Sequence, residues 1–210
     1  MEDNWSSEIN GYEKMIRRHT PLWDFIRGFI KEFKVKSIID VGGGIAYAKQ
    51  YVEDYILYDF NEPLIKKVKK IIPDLKVNIE DFTKADVSEI KNKYDLVLLC
   101  AIVEHYGSLD PLLAKALETN SRFILVSFFM GLNKNKYKNE YHGSTHRKSI
   151  LRCFSKDSIN ESLAKLNVLD RSVLFTIKNK DSSKKKVLDG VLLIDLAQTD
   201  NFVQKVLDLN

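Results

Sequence analysis

Between Ser37 and Phe129 short β-branched apolar runs alternate with amphipathic or polar stretches, the pattern of repeated strand-helix units on a parallel sheet. The predicted strands are Ser37–Val41, Tyr55–Asp59, Lys76–Ile79, Asp95–Cys100 and Arg122–Phe128. The second and fourth are nearly continuous apolar runs, as strands buried on both faces are. Between them Ala46–Val52, Pro63–Ile72 and Leu109–Leu117 read as helices, with Pro63 and Pro111 near helix starts, where the missing N–H costs nothing. Upstream, Tyr12–Phe33 reads as one or two amphipathic helices, broken near Pro21.

Past Met130 the apolar pattern stops. Gly131–Lys148 is polar, with almost no aliphatic residue, and is predicted as a long loop or insertion. A helix over Lys156–Leu166 follows, with Ser155 as N-cap. Two strand-like runs close the pattern, Val173–Ile177 and Val187–Ile194, joined by the short polar stretch Asn179–Lys186 and expected to pair as an antiparallel hairpin.

Length and composition narrow the class. At 210 residues the chain suits one sizeable core, and 44% hydrophobic with 30% charged residues is ordinary for a packed globular protein. A single domain is expected, comprising N-terminal helices (1–36), a ligand-binding half (37–130), the polar insertion (131–148), and a C-terminal helix and hairpin (149–210). A net charge of +4 spread over scattered lysines reads as a solvated surface, not a nucleic-acid footprint. Cys100 and Cys153 form no CxxC pair, acids near the N-terminus argue against a signal peptide, and no apolar stretch reaches membrane-spanning length. A cytoplasmic location and no membrane partner are expected.

The chemistry concentrates where Ile39-Asp40-Val41 runs into Gly42-Gly43-Gly44 and then a helix. Consecutive glycines let the backbone turn tightly and leave room for a ligand over the helix start. A dinucleotide fingerprint would need a third spaced glycine where this chain has Tyr47, and the P-loop lysine pattern is absent. Asp59, 17 positions after Gly42, ends the second strand, where an acid accepts hydrogen bonds from both hydroxyls of a ribose. An adenosyl ligand suits both features.

The D-x-G-x-G run from Asp40 to Gly44 resembles the first motif of class I S-adenosylmethionine-dependent methyltransferases, and Tyr58-Asp59 resembles their ribose-binding acid. Asp81-Phe82 resembles the acid and apolar pair that hold the adenine ring. Tyr94–Val97 followed by Ile102-Val103-Glu104-His105 resembles the fourth strand and "EH" turn of the small-molecule members. The resemblance covers about Ser37–Phe128. It implies a three-layer α/β/α sandwich, a Rossmann-like seven-stranded sheet in the order 3-2-1-4-5-7-6, and S-adenosylmethionine as cofactor. It further implies that Asp40, Gly42, Gly43, Gly44, Asp59, Phe60, Asp81, Phe82 and Cys100 line the cofactor. One departure is Ala46, where many members carry a further glycine.

Several residues admit two readings. Asp40 orients the glycine turn through backbone amides or acts in catalysis, with the first favoured. Cys100, inside an apolar strand, is a small buried hydrophobe without chemistry of its own. Glu104 and His105 either brace the loop after the fourth strand, with Glu104 bonding backbone amides, or let His105 reach the acceptor as general base. In the polar insertion Tyr141, His142, His146 and Arg147 are candidates for acceptor binding, and suit a carboxylate or phosphate. Glu140, His142 and His146 have a zinc-like spacing, but no further cysteine or histidine completes a site, so no metal is expected.

The expected activity is therefore methyl transfer to a small-molecule acceptor by direct in-line displacement. The Asn/Asp-Pro-Pro-aromatic signature resembling the DNA amino-methyltransferases is missing at Cys100–Val103. A cofactor-binding or regulatory subunit without acceptor chemistry is the rival reading. A nicotinamide-dependent oxidoreductase is disfavoured by Tyr47.

Overall fold

The computed structural model describes residues 19–106, 108–131, 137–141, 148–177 and 187–209, with the side chains of 131, 137–141, 148–152, 187 and 188 excepted. The elements run α1 (Thr20–Glu32), β1 (Ser37–Val41), β2 (Asp54–Tyr58), α2 (Glu62–Ile71), β3 (Lys76–Asn78), β4 (Leu96–Cys100), α3 (Asp110–Glu118) and β5 (Phe123–Gly131). Then come β6 (Tyr137–Tyr141), β7 (Lys148–Arg152), α4 (Lys156–Lys165), β8 (Ser172–Ile177), β9 (Val187–Asp195) and α5 (Phe202–Leu209).

Seven strands form one sheet in the order β3-β2-β1-β4-β5-β9-β8. The first five are parallel to one another, and β9 pairs antiparallel with both β5 and β8. This is the expected order, with β9 and β8 in the places of the seventh and sixth strands. Alternation along the central strands splits their side chains between two cores. Ile39, Val97, Leu99, Ile124 and Val126 pack toward α3 and α4, where Leu112, Leu113, Ile159 and Leu163 meet them. Ile38, Leu96, Leu98, Phe123 and Leu125 pack toward α1, α2 and α5, against Phe29, Ile65, Val68 and Phe202. Helices therefore cover both faces, the three-layer sandwich anticipated above. On the second face Phe29, Phe33, Phe123 and Phe202 meet ring to ring, with Phe29 and Phe123 edge-on at 5.3 Å.

The local start signals operate as the sequence suggests. Ser155 Oγ accepts the Ser158 amide at the head of α4, and Asn61 Oδ1 accepts the Leu64 amide at the head of α2. Pro21 falls in the first turn of α1, where its missing N–H costs nothing. The Tyr12–Arg18 part of the predicted N-terminal helix and the Asn179–Lys186 connection lie outside the described residues.

Three expectations need correction. The helix predicted at Ala46–Val52 is a short 3-10 helix, Tyr47–Tyr51, because Ala46 adopts a left-handed conformation with φ +57° that no α-helix continues through. The segment predicted as loop, Gly131–Lys148, contains β6 and the start of β7, which pair antiparallel with each other in a separate two-stranded sheet. Neither has the alternating apolar face by which a half-buried strand is recognised. The third is α5, an amphipathic C-terminal helix that buries Phe202 and Val206 and was not anticipated.

Candidate active site

The carboxyl ends of β1, β2 and β4 gather the expected site residues at one edge of the sheet, where ligands of open α/β folds bind. Gly42 and Gly44 have φ of +68° and +55°, conformations that favour glycine, and the Gly42 amide donates to Tyr58 O at 2.7 Å. The turn is therefore tied to the end of the neighbouring strand. A side chain at Gly42 would meet Ile102 at 2.6 Å, and one at Gly43 would collide with the Asp40 carboxylate.

Asp59 fastens the other side of the turn. Its Oδ2 accepts the Gly44 amide at 3.2 Å and its Oδ1 accepts the Asn61 amide at 2.8 Å, so one carboxylate joins the glycine turn to the start of α2. A carboxylate offers about four lone-pair positions, which leaves capacity for two further donors. Phe60 beside it is 64% exposed.

Asp40 lies 1% exposed beneath the turn. The Tyr55 hydroxyl donates to its Oδ2 at 2.6 Å, while Oδ1 has no partner among the described residues. Burial pushes its carboxyl up to about 7 against the pull of the Tyr55 bond, with the Asp59 charge adding to the rise.

Asp81 and Phe82 separate. Asp81 is half-buried and accepts the Thr83 amide, the Thr83 hydroxyl and the Tyr106 hydroxyl at 3.0 Å. Phe82 is buried against Tyr58, ring to ring at 5.0 Å, and so supports the edge from within the core. Cys100 does reach the cleft, where its Sγ accepts the Ser127 hydroxyl at 3.2 Å and burial pushes its thiol up to about 12. At that value it is a neutral thiol, in keeping with a wall residue.

The cleft itself lies between the glycine turn, the ends of β4, β5 and β9, and the start of α1. Asp40, Gly42, Gly43, Cys100, Ala101 and Glu104 line it from the motifs read above, and His19, Trp23, Tyr47, Phe129 and Asp189 line it from elsewhere. The two residues of the "EH" turn part company. Glu104 is 2% exposed and faces the cleft, whereas His105 is exposed and is not among the lining residues. Glu104 Oε1 accepts the Phe129 amide at 3.0 Å, the bracing bond that one of the two sequence readings requires. Burial, opposed by its backbone bonds and reinforced by Asp189, pushes its carboxyl up to about 8.

His19 and Asp189 were missed. His19 Nδ1 and Asp189 Oδ2 lie 2.8 Å apart and join the head of α1 to β9. Asp189 had a signal, an acid within the apolar run Val187–Ile194. His19 had none, since only the fold brings it over the sheet. Of the acceptor candidates in the insertion, Tyr141 belongs to β6 with its side chain not described, and His142, His146 and Arg147 lie outside the described residues. Among the described residues no group of three or more His, Cys, Asp or Glu side chains is placed to hold a metal ion, and no helix is long and apolar enough to cross a membrane.

No family model matches the chain, and no curated protein matches it. Solved structures do. The 1,6-didemethyltoxoflavin-N1-methyltransferase of Burkholderia thailandensis, solved with 1,6-didemethyltoxoflavin and S-adenosylhomocysteine, is similar at TM-score 0.65 and 12% identity, over 92% of this chain and 85% of that one. The N-terminal domain of EvdMO1 with S-adenosylhomocysteine bound is similar at TM-score 0.56 and 14% identity, over 82% and 80% of the two chains. An S-adenosylmethionine-dependent methyltransferase from Methanosarcina mazei gives 0.59 and 11%, over 77% and 92%. With its sheet order, its glycine turn and these likenesses, the chain has the Rossmann-like fold of class I S-adenosylmethionine-dependent methyltransferases.

Proposed function

We propose that this protein binds S-adenosylmethionine at the glycine turn and transfers its methyl group to a small-molecule acceptor. The observation that carries the reading is the Asp59 carboxylate bonded to the Gly44 amide, beside a turn in which a side chain at Gly42 or Gly43 has no room. Acid and turn are held as one unit with lone pairs to spare, as a ribose diol requires. In this reading Asp59 accepts the ribose hydroxyls, exposed Phe60 and Asp81 flank the adenine, and the turn passes close to the amino-acid end. The unpartnered Asp40 Oδ1 and the Cys100 wall lie beneath that end. Two S-adenosylhomocysteine-bound neighbours support the same assignment.

The cofactor supplies an electrophilic methyl carbon on a cationic sulfur leaving group. What remains for the protein is alignment, exclusion of water and a destination for any proton released. Trp23, Tyr47 and Phe129 give the cleft apolar walls that shed water. The likeness to the 1,6-didemethyltoxoflavin-N1-methyltransferase supports a small-molecule acceptor.

Calorimetric titration with S-adenosylhomocysteine tests the reading, followed by detection of S-adenosylhomocysteine release in the presence of a panel of small acceptors. Binding with turnover supports the enzyme. Binding without turnover on any acceptor favours the regulatory-subunit alternative, and absence of binding overturns the assignment.

A further inference from the structure

We propose that the Glu104 end of the cleft receives the methyl acceptor, and that the acceptor presents an N–H group, on an amine or a nitrogen heterocycle, to Glu104 and Asp189. The inference rests on the methyltransferase reading and adds the substrate class.

Among the described residues the cleft is lined by three carboxyl groups, Asp40, Glu104 and Asp189, each buried to 4% exposure or less, and by no lysine or arginine. An acceptor bearing a carboxylate or phosphate meets acids on this wall and no lysine or arginine among the described lining residues. One bearing N–H groups finds acceptors on the wall. The decisive atom is Glu104 Oε2, which is buried without a hydrogen-bond partner among the described residues, although Oε1 is held by the Phe129 amide. A buried polar atom left unbonded is destabilising, and a donor brought by a ligand relieves it.

The two acids are positioned together by the sheet. Phe129 of β5 pairs across the ladder with Asp189 of β9, and the same Phe129 donates its amide to Glu104. Glu104 and Asp189 are thus brought to one end of the cleft through a shared neighbour. His19 fixes Asp189 from the roof, and Trp23 and Phe129 supply flat apolar walls suited to a planar acceptor.

The nitrogen lone pair forms the N–CH3 bond as the carbon–sulfur bond breaks and its electron pair returns to sulfur. The N–H proton passes to the Glu104 carboxylate and then to water. A carboxyl near 8 takes up and returns a proton close to neutrality. Among the described residues the ionisable groups that line the cleft with it are Asp189 on β9, His19 ahead of α1, Tyr47 after the glycine turn, Asp40 on β1 and Cys100 on β4.

The test uses full-length protein saturated with S-adenosylhomocysteine at about pH 8.5, above the Glu104 value. Calorimetry compares two probes of similar size, benzimidazole and benzoate. Benzimidazole is expected to bind about tenfold more tightly or better, and Glu104→Gln or Asp189→Asn to cut that preference about fivefold or more. Benzoate binding as well as benzimidazole, neither probe binding, or a preference unchanged in both variants overturns the proposal. Failure of S-adenosylhomocysteine itself to bind overturns the methyltransferase reading instead. Asp189→Asn keeps the test open should Glu104→Gln fail to fold, and a circular-dichroism melt of each variant reports folding.

Discussion

Asp40 and Tyr55 meet across adjacent parallel strands, the tyrosine hydroxyl donating to the aspartate Oδ2 at 2.6 Å in the layer beneath the glycine turn. The pair seats the turn from below. Gly43 lies so close over the Asp40 carboxylate that only a hydrogen fits between them.

Asp40 gives a pH signature. Its folded value of about 7 stands above its unfolded value of about 3.8, so the folded protein keeps a proton that the unfolded chain releases. That stabilisation is fully present below about pH 4 and is lost as pH rises through about 7. Asparagine is neutral throughout and keeps an oxygen for Tyr55. Asp40→Asn should therefore change stability little near pH 4 and raise it at pH 8 by on the order of 2 kcal/mol. Urea denaturation at the two pH values reads the difference, and an equal effect at both would sink the account.

Asp59→Ala removes the expected ribose acceptor and the tie between Gly44 and Asn61. Affinity for S-adenosylhomocysteine should fall by about 1.5 to 3 kcal/mol. Unchanged affinity in calorimetry would move the site away from β2.

Gly42→Val combines a disfavoured φ with a collision against the buried Ile102 side chain. Both the cofactor site and the fold should suffer. The expected loss of stability is about 2 kcal/mol or more, together with loss of S-adenosylhomocysteine binding. A variant with the parent melting curve would show that the turn is less constrained than its geometry implies.

Gly190 lies in β9 under the Phe128 ring, close enough that an added methyl group would displace it. Phe128 lines the cleft. Gly190→Ala should cost about 1–3 kcal/mol by overpacking, visible in chemical denaturation. Retention of parent stability would mean that the ring finds another rotamer without strain.

The cofactor half was legible because its elements announce themselves locally. Ser37–Val41 ends in glycines, Asp59 follows at the end of the next apolar run, and helix caps such as Ser155 stand where their side chains act. The cleft was only half legible. Its floor comes from those motifs, but its roof and far wall, His19, Trp23 and Asp189, come from segments far away in sequence that only the tertiary fold brings to it. The choice between Glu104 and His105 turned on which side of one 3-10 turn faces inward, and adjacent residues carry no periodic signal over so short an element. The β6–β7 pair escaped notice because its strands bond to each other and carry no apolar stripe.

That pair has a consequence for how this domain diversifies. The chain leaves the main sheet after Gly131 and comes back to its edge at Phe154, which bridges side by side with Met130 and whose amide bonds Phe129 O at 2.9 Å. Departure and return share one doorway, so the intervening segment is grafted onto a frame whose sheet bonds do not pass through β6 or β7. β7 nonetheless runs alongside the Val103–His105 turn that carries Glu104. The length of this segment can therefore change beside the turn that carries Glu104 without altering the strand pairings that hold the glycine turn and Asp59.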